Sequence, residues 1–189
     1  MDELLRTDCS RRSFLRTSFA AAMVCCARAL WPTDVFAGRL PEGRLVLCHA
    51  HTNERLEVTY RNDLGRYDAS ALEDLNNFMR CNYTNRTASM DLRVIEFLNT
   101  LHKQVGGDKD IVVHSAYRSP EYQTVLIKQR GRRVARQSFH VTAQAVDFHI
   151  PGVPLRQIRQ AALRLGQGGV GYYPRRGFVH VDCGPVRWW

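Results

Sequence analysis

Two short stretches of the sequence combine histidine with aspartate, residue types that bind metals and transfer protons. They read SFHVTAQAVDFHI at residues 138–150 and FVHVD at residues 178–182. Their histidines and aspartates are His140, Asp147, His149, His180 and Asp182. A hydrolytic zinc site takes three such ligands and leaves a fourth position for water. The alternative is a pair of ordinary strands whose charged side chains face the solvent.

Period-two alternation predicts which of these side chains point the same way. A strand over residues 145–150 places Asp147 and His149 on one face, because successive side chains of a strand point to opposite sides. In the second stretch, His180 and Asp182 share a face for the same reason. If the two strands lie side by side, the imidazoles and carboxylates converge on one point.

Further strands and helices are predicted around these two strands. Two β-rich runs form a hairpin around residues 52–55, and two helices follow. Their apolar positions at helical spacing are Leu72, Leu75, Phe78 and Met79, then Leu92, Ile95, Leu98, Leu101 and Val105. The run DIVVHSAYRS predicts a buried strand, and Ser119 then starts a helix as its N-cap. An amphipathic helix ends at Gly166, and a glycine-rich hairpin follows.

The bulk composition fits one globular domain with an excess of positive charge. The chain has 189 residues and a formal net charge of +9, and this length allows one domain with a substantial core. Clustered Lys and Arg would indicate nucleic acid, but here they are scattered except in KQRGRRVAR at residues 128–136. We therefore expect no nucleic-acid partner, and the charge equally suits an anionic cell wall or membrane surface.

The amino-terminal segment predicts export. Its SRRSFL run, with the arginine pair Arg11-Arg12, resembles a twin-arginine signal, and an apolar run from Phe19 to Cys26 follows. A membrane anchor or buried helix is the alternative, but the apolar run is too short to span a bilayer and Arg28 interrupts it. Small residues before position 38 predict cleavage after Ala37.

This interpretation divides the chain into a signal peptide, residues 1–37, and a single mature domain, residues 38–189. It predicts a periplasmic protein that meets the twin-arginine translocase and contacts the membrane only during export. The mature chain then keeps Cys48, Cys81 and Cys183. Three thiols in an oxidising compartment allow at most one internal disulfide, and their spacing matches no CxxC motif, so we interpret them as structural.

Several ordered motifs resemble those of a known group of zinc peptidases. HSAYRSPEYQ, SFHVTAQAVDFHIPGV and GVGYYPRRGFVHVDCGPVRWW are similar to the murein endopeptidase K branch of the group that also contains D-alanyl-D-alanine carboxypeptidases and the hedgehog amino-terminal domain. The resemblance implies that His140, Asp147 and His180 bind Zn²⁺. It also implies a hedgehog/D-Ala-D-Ala peptidase-like α+β fold, in which a small antiparallel sheet bears the metal and helices pack on one side.

One departure from the family pattern concerns the loop between the first two ligands. The usual pattern is H-x-x-G-x-A-x-D, and here the glycine position is assigned to Gln144, while Ala145 is kept. The spacing of His140 and Asp147 remains seven positions. We expect the departure to affect the loop and to leave metal binding intact.

The resemblance and the residue chemistry together suggest further roles. Arg118 is expected at the substrate, where a guanidinium binds a carboxylate or stabilises an oxyanion. The glutamate that many relatives have three residues before the last ligand is Gly177 here. Asp182 is then the first candidate for general base, or alternatively orients an imidazole, and His149 is the second candidate.

Other polar and aromatic residues are expected either around the cleft or away from it. The candidates for the cleft wall are His114, Ser115, Tyr117, Ser138, Trp188 and Trp189, where edge packing is an equal alternative for the two tryptophans. His49, His51 and His102 match no motif and are expected to be structural.

The leading functional hypothesis is a zinc-dependent hydrolase that cuts peptide cross-links in peptidoglycan and binds its stem peptides. By resemblance, the bonds include links between diaminopimelate residues. A D,D- or L,D-carboxypeptidase needs the same ligands and is the second enzyme hypothesis. A wall-binding domain that keeps the fold without turnover is the hypothesis of another class.

Overall fold

A seven-stranded sheet and four α-helices make up the part of the chain that this computed structural model describes, residues 42–131, 135 and 137–189. The strands are β1 Gly43–His49, β2 Arg55–Arg61, β3 Ile111–Ser115, β4 Ala145–His149, β5 Gly169–Tyr173, β6 Phe178–Asp182 and β7 Arg187–Trp188. The helices are α1 Ala69–Phe78, α2 Leu92–Gly106, α3 Pro120–Arg130 and α4 Leu155–Leu165, and a 3₁₀ turn covers Pro174–Arg176.

The sheet has the order β2-β1-β3-β4-β6-β5-β7 and is mixed. The four pairs β1·β2, β3·β4, β4·β6 and β5·β6 are antiparallel, as predicted. The prediction of a wholly antiparallel sheet is wrong at β1·β3 and β5·β7, which are parallel. The chain crosses over through α1 and α2 before it enters β3, and such a crossover is what a parallel neighbour requires. The two-residue β7 is too short to show an alternating pattern.

One face of the sheet carries the apolar core. Val146 and Phe148 of β4 and Val179 and Val181 of β6 are fully buried in the cluster that holds the apolar faces of α1, α2 and α4. The α2 helix contacts β1, β4 and β6, and α4 contacts β5 and β6. Because side chains alternate along a strand, the residues between these apolar positions point to the opposite face. Helix packing on one face therefore presents the polar side chains of β4 and β6 together on the other.

The local signals in the sequence agree with the element ends. The Ser119 hydroxyl accepts a hydrogen bond from the Tyr122 N–H at 3.2 Å, as an N-cap does. The α4 helix ends at Gly166, whose φ of 61° is the left-handed conformation that glycine adopts without strain. The first and last hairpins form as β1·β2 and β5·β6. These predictions are confirmed.

Some predictions fall on residues that the structure does not describe. The twin-arginine segment and the cleavage site at Ala37 lie outside the described residues, as do residues 132–134 and 136 of the basic segment.

Within the described ranges, no helix has the length and apolar character needed to cross a membrane. The thiols of Cys48, Cys81 and Cys183 are all free.

A carboxylate at the start of α2 connects the helix layer to the segment that holds the histidine and aspartate motif. Asp91 is the N-cap of α2 and accepts a hydrogen bond from the Arg93 N–H at 3.0 Å. Its other oxygen accepts from the Gln144 side-chain amide at 3.0 Å, and its own N–H donates to the Ala143 carbonyl at 2.9 Å. Hydrogen bonding to the Arg93 guanidinium, above all, holds the pKa of Asp91 below its ordinary value.

We expect Asp91→Ala to lower the free energy of unfolding by about 1–2 kcal/mol, because the helix loses its cap and the loop loses an anchor. Asp91→Asn keeps a capping oxygen and should lose less. Since the pKa of Asp91 is lowered in the folded state, its contribution is present above the ordinary aspartate pKa of about 4 and disappears as the pH falls.

Urea denaturation at neutral pH and at about pH 3 measures both effects. The difference between the wild type and Asp91→Ala should shrink in acid. Equal stability of the wild type and Asp91→Ala at neutral pH would contradict the anchoring role.

Candidate metal centre

Strand pairing brings the three predicted metal ligands together. Asp147 of β4 lies directly opposite His180 of β6, and His140 lies in the turn that precedes β4. One candidate ligand atom from each of the three side chains lies within 4.8 Å of the other two, and all three residues are buried. A metal ion bound here would therefore be held by two imidazoles and one carboxylate.

The Asp147 carboxylate lies between the two imidazoles. Its Oδ1 is 2.7 Å from His180 Nδ1, and its Oδ2 is 3.3 Å from His140 Nε2. Burial alone would raise the pKa of Asp147, but the neighbouring imidazoles outweigh burial and lower it. Burial lowers the pKa of His140. Asp147 is therefore ionised, which is the state that a metal ligand needs.

The outer nitrogen of each imidazole is hydrogen-bonded away from the centre. His140 Nδ1 lies 2.7 Å from the carbonyl oxygen of Ala116, to which it donates. His180 Nε2 lies 3.0 Å from Asp182 Oδ2. Metal-binding histidines commonly donate their second N–H to a carbonyl or carboxylate, which fixes the tautomer and directs the other lone pair at the metal. The donor set and its supports thus fit a zinc ion.

Asp182 is fully buried behind His180, with both oxygens engaged. Arg187 donates to its two oxygens at 2.9 and 2.7 Å, and the N–H of Gly184 donates at 2.9 Å. The absence of a side chain at Gly169 leaves room for the Asp182 carboxylate, since a Cβ at position 169 would lie 2.5 Å from Asp182 Oδ2. Burial raises the pKa of Asp182, but the bonds from His180 and Arg187 prevail and lower it. The carboxylate contacts the His180 nitrogen that faces away from Asp147.

The loop after His140 turns at Ala143, which has a positive φ of 56°. Counted from His140, the glycine of the H-x-x-G-x-A-x-D pattern falls at Ala143, so its assignment to Gln144 is wrong. This left-handed conformation costs a non-glycine residue about 1–2 kcal/mol, which explains the glycine of the pattern. Gln144 instead anchors the loop through its bond to Asp91.

Two cavities meet at the centre. The smaller, of about 150 Å³, has His140 and His180 in its wall, and the larger, of about 560 Å³, extends towards His51 and His114. The residues that border both are Arg118, Leu126, Asp147, Arg176 and Phe178. Asp147 therefore lies at the junction, and an extended ligand that fills both cavities would pass over the candidate metal site.

Most residues predicted for the cleft wall lie there. The larger cavity is lined by His114, Ser115, Tyr117 and Arg118, and the smaller by Arg118, Ser138 and Trp189. The Trp189 ring lies 5.4 Å from the His180 ring, and its Nε1 donates to the Tyr173 hydroxyl at 2.6 Å. Trp188 belongs to edge strand β7 and is 65% exposed. Trp189 therefore lies in the cleft wall, and Trp188 lies at the edge of the sheet.

His149 borders neither cavity in the described part of the chain. The His149 Nδ1 lies 2.8 Å from Nε2 of His114, which lines the larger cavity. His149 is therefore connected to that cavity through His114. Burial lowers the pKa of both imidazoles. His49 and His102 are buried and bonded to Asn82 and to the Lys109 carbonyl, as structural residues are. His51 departs from the structural prediction, because it is exposed and borders the larger cavity.

Among the cleft residues that sequence reasoning missed are Phe139, Tyr173, Arg176 and Arg187. The Arg187 guanidinium lies 4.9 Å from the Phe139 ring centre and 5.0 Å from that of Trp189. Arg187 follows Asp182 by five positions, and this spacing does not place two side chains on the same face of a helix or a strand. The PRRG turn directly before FVHVD was the available signal for Arg176.

The sequence is similar to those of known proteins. The family described as "Peptidoglycan L,D-endopeptidase MepK" matches residues 41–189. The Escherichia coli (strain K12) protein of that name is 39% identical over 184 residues, covering 96% of this chain and 98% of the relative. The Haemophilus influenzae "Probable peptidoglycan L,D-endopeptidase MepK" is 35% identical over 146 residues, covering 77% of each chain. No solved structure matches.

We expect the purified protein to bind about one Zn²⁺ per chain, and His140→Ala, Asp147→Ala or His180→Ala to lose most of this binding. Equilibrium dialysis with metal analysis measures the stoichiometry. Zinc at a hundredfold excess over its Kd should stabilise the wild type by about 2.7 kcal/mol in thermal unfolding, and the three variants much less. His51→Ala is the matched control and should keep the metal. Equal zinc binding by the wild type and His180→Ala would refute the site.

Proposed function

The chain belongs to the peptidoglycan L,D-endopeptidase MepK family, and on this premise we propose that it is a zinc-dependent enzyme that hydrolyses peptide cross-links of peptidoglycan. The observation that carries the proposal is a cluster of three buried candidate ligands, His140, Asp147 and His180, that lines one cavity and reaches the next through Asp147. A fully enclosed structural zinc site would not open onto such a cleft. The proposed location is the periplasm, reached by the twin-arginine pathway.

The residues that would hold Zn²⁺ are His140 through Nε2, Asp147 through its carboxylate and His180 through Nδ1. A bound zinc ion supplies a Lewis acid that polarises an amide carbonyl and acidifies water. Arg118, at the border of both cavities, is assigned to the substrate carbonyl or a nearby carboxylate. Its Nη1 donates to Gln123 Oε1 at 3.0 Å, which holds the guanidinium in place.

Asp182 is better suited to positioning than to proton transfer. It is buried, accepts bonds from Arg187 and the backbone, and contacts His180 on the side away from Asp147. We therefore assign it to fixing the tautomer and orientation of His180. We assign proton transfer to the His114–His149 pair, because His114 borders the cavity that contains Asp147 and burial keeps both imidazoles neutral.

The first test is digestion of cross-linked muropeptide dimers, with products separated by chromatography and identified by mass spectrometry. We expect dimers to fall and monomers to rise, with activity abolished by a zinc chelator and restored by added Zn²⁺. His180→Ala should be inactive, because the metal is lost. Loss of one terminal residue without a fall in dimers would instead establish a carboxypeptidase. Binding of muropeptides without any product would establish a wall-binding domain.

The second test separates the two roles considered for Asp182. If Asp182 orients His180, Asp182→Asn should weaken zinc affinity by about 10–100-fold, and saturating zinc should restore much of the activity. If Asp182 were the general base, zinc affinity would stay near the wild-type value and kcat would remain low at every zinc concentration. Zinc titration of activity, with metal affinity measured in parallel, distinguishes the outcomes. Circular dichroism checks that the variant is folded.

A further inference from the structure

The walls of the two cavities carry an excess of positive charge. Asp147, a proposed metal ligand, is the single carboxylate among the described residues that line them. The arginines in the walls are Arg80, Arg118, Arg176 and Arg187. The cleft is therefore suited to an anionic ligand, because a guanidinium that meets a carboxylate makes strong, forked hydrogen bonds.

The arginines differ in whether they already form an ion pair with a carboxylate of the protein. Arg187 is paired with the buried Asp182, and Arg80 is paired with Glu54 at 2.6 Å. Arg176 is exposed and, within the described residues, has no carboxylate partner. Its guanidinium carbon lies over the Tyr173 ring, 5.8 Å from the ring centre. The charge of Arg176 is thus available to a ligand.

The backbone holds Arg176 at the border of both cavities. It ends the 3₁₀ turn Pro174–Arg176, and Gly177 then takes a φ of 78°. The Gly177 N–H donates to the Tyr173 carbonyl at 3.0 Å, which closes the turn. Strand β6 begins at the next residue and carries His180. A short and well-defined connection therefore fixes where the base of the arginine side chain lies relative to the metal ligands.

We propose that Arg176 is a specificity residue that binds a free carboxylate of the stem peptide beside the amide that is cut. This inference rests on the proposed function. In an amide between an L-centre of one diaminopimelate and the D-centre amine of another, the carbon that bears the amide nitrogen also bears a carboxylate. An arginine at the junction of the two cavities is placed to recognise that group, and amidation of the carboxylate removes its charge.

The test compares hydrolysis of two matched dimers, one with the free carboxylate and one with the corresponding primary amide. The wild type should cleave the free acid with a KM about tenfold lower than that of the amide. Arg176→Gln should raise KM for the free acid about tenfold, leave kcat within about twofold, and abolish the preference between the substrates. Arg175→Gln is the matched control, since Arg175 adjoins Arg176 and lines neither cavity.

A retained preference in Arg176→Gln would overturn the inference, as would an equal loss of activity on both substrates, which indicates a structural effect. Calorimetric binding of the free-acid dimer to chelated protein provides a second measurement. Weaker binding by Arg176→Gln than by Arg175→Gln, in a protein that cleaves nothing, would support the carboxylate site and refute the endopeptidase. If the wild type cleaves both dimers without distinguishing them, the endopeptidase is supported and the carboxylate site is refuted.

Discussion

The arrangement of the site depends on one buried carboxylate placed between two imidazoles. Asp147 faces His180 across the β4·β6 pair and lies within 3.3 Å of His140 Nε2. An isolated buried charge would be costly, and here the neighbouring imidazoles offset the desolvation. The antiparallel register therefore matters, because a shift of one strand by one residue would turn its ligand side chain, Asp147 or His180, into the apolar core. Packing of Val146, Phe148, Val179 and Val181 against the helices prevents that shift.

Around this centre, the carboxyl end of the chain forms a second layer of support. Arg187 neutralises Asp182, which in turn contacts His180, and the guanidinium also packs against the Phe139 and Trp189 rings. Three kinds of contact thus connect the last residues to the candidate metal site: an ion pair, a hydrogen bond and cation–π packing. Small residues make this possible, since a side chain at Gly169 would collide with Asp182.

The charge distribution connects the site to its proposed substrate. Peptidoglycan stem peptides carry carboxylates, and the cavity walls combine arginines with aromatic rings and a single aspartate among their described residues. The net charge of +9 of the full chain favours approach to an anionic wall, whereas in the proposed function the contacts inside the cleft determine which bond is cut. Attraction and selection are therefore separate properties of the molecule.

Much of this could be read from the sequence because it is encoded locally. Alternation along FVHVD and AVDFH predicted which side chains share a face, and Ser119 and Gly166 marked helix ends. The resemblance of several motifs to a peptidase family implied the candidate ligands His140, Asp147 and His180. The parallel pairings of β1 with β3 and β5 with β7 were not predicted, because they depend on crossovers and on a strand of two residues.

Only the tertiary structure decided what surrounds each candidate ligand. It shows Asp182 saturated by Arg187 and the backbone, His149 reaching the cavity through His114, and Arg176 exposed at the junction. These relations join residues from different strands and turns, so no sequence periodicity reports them. The sequence by itself determined which groups are candidate metal ligands. The packing of separate segments determined which neighbours support those groups and which neighbours line the cavities.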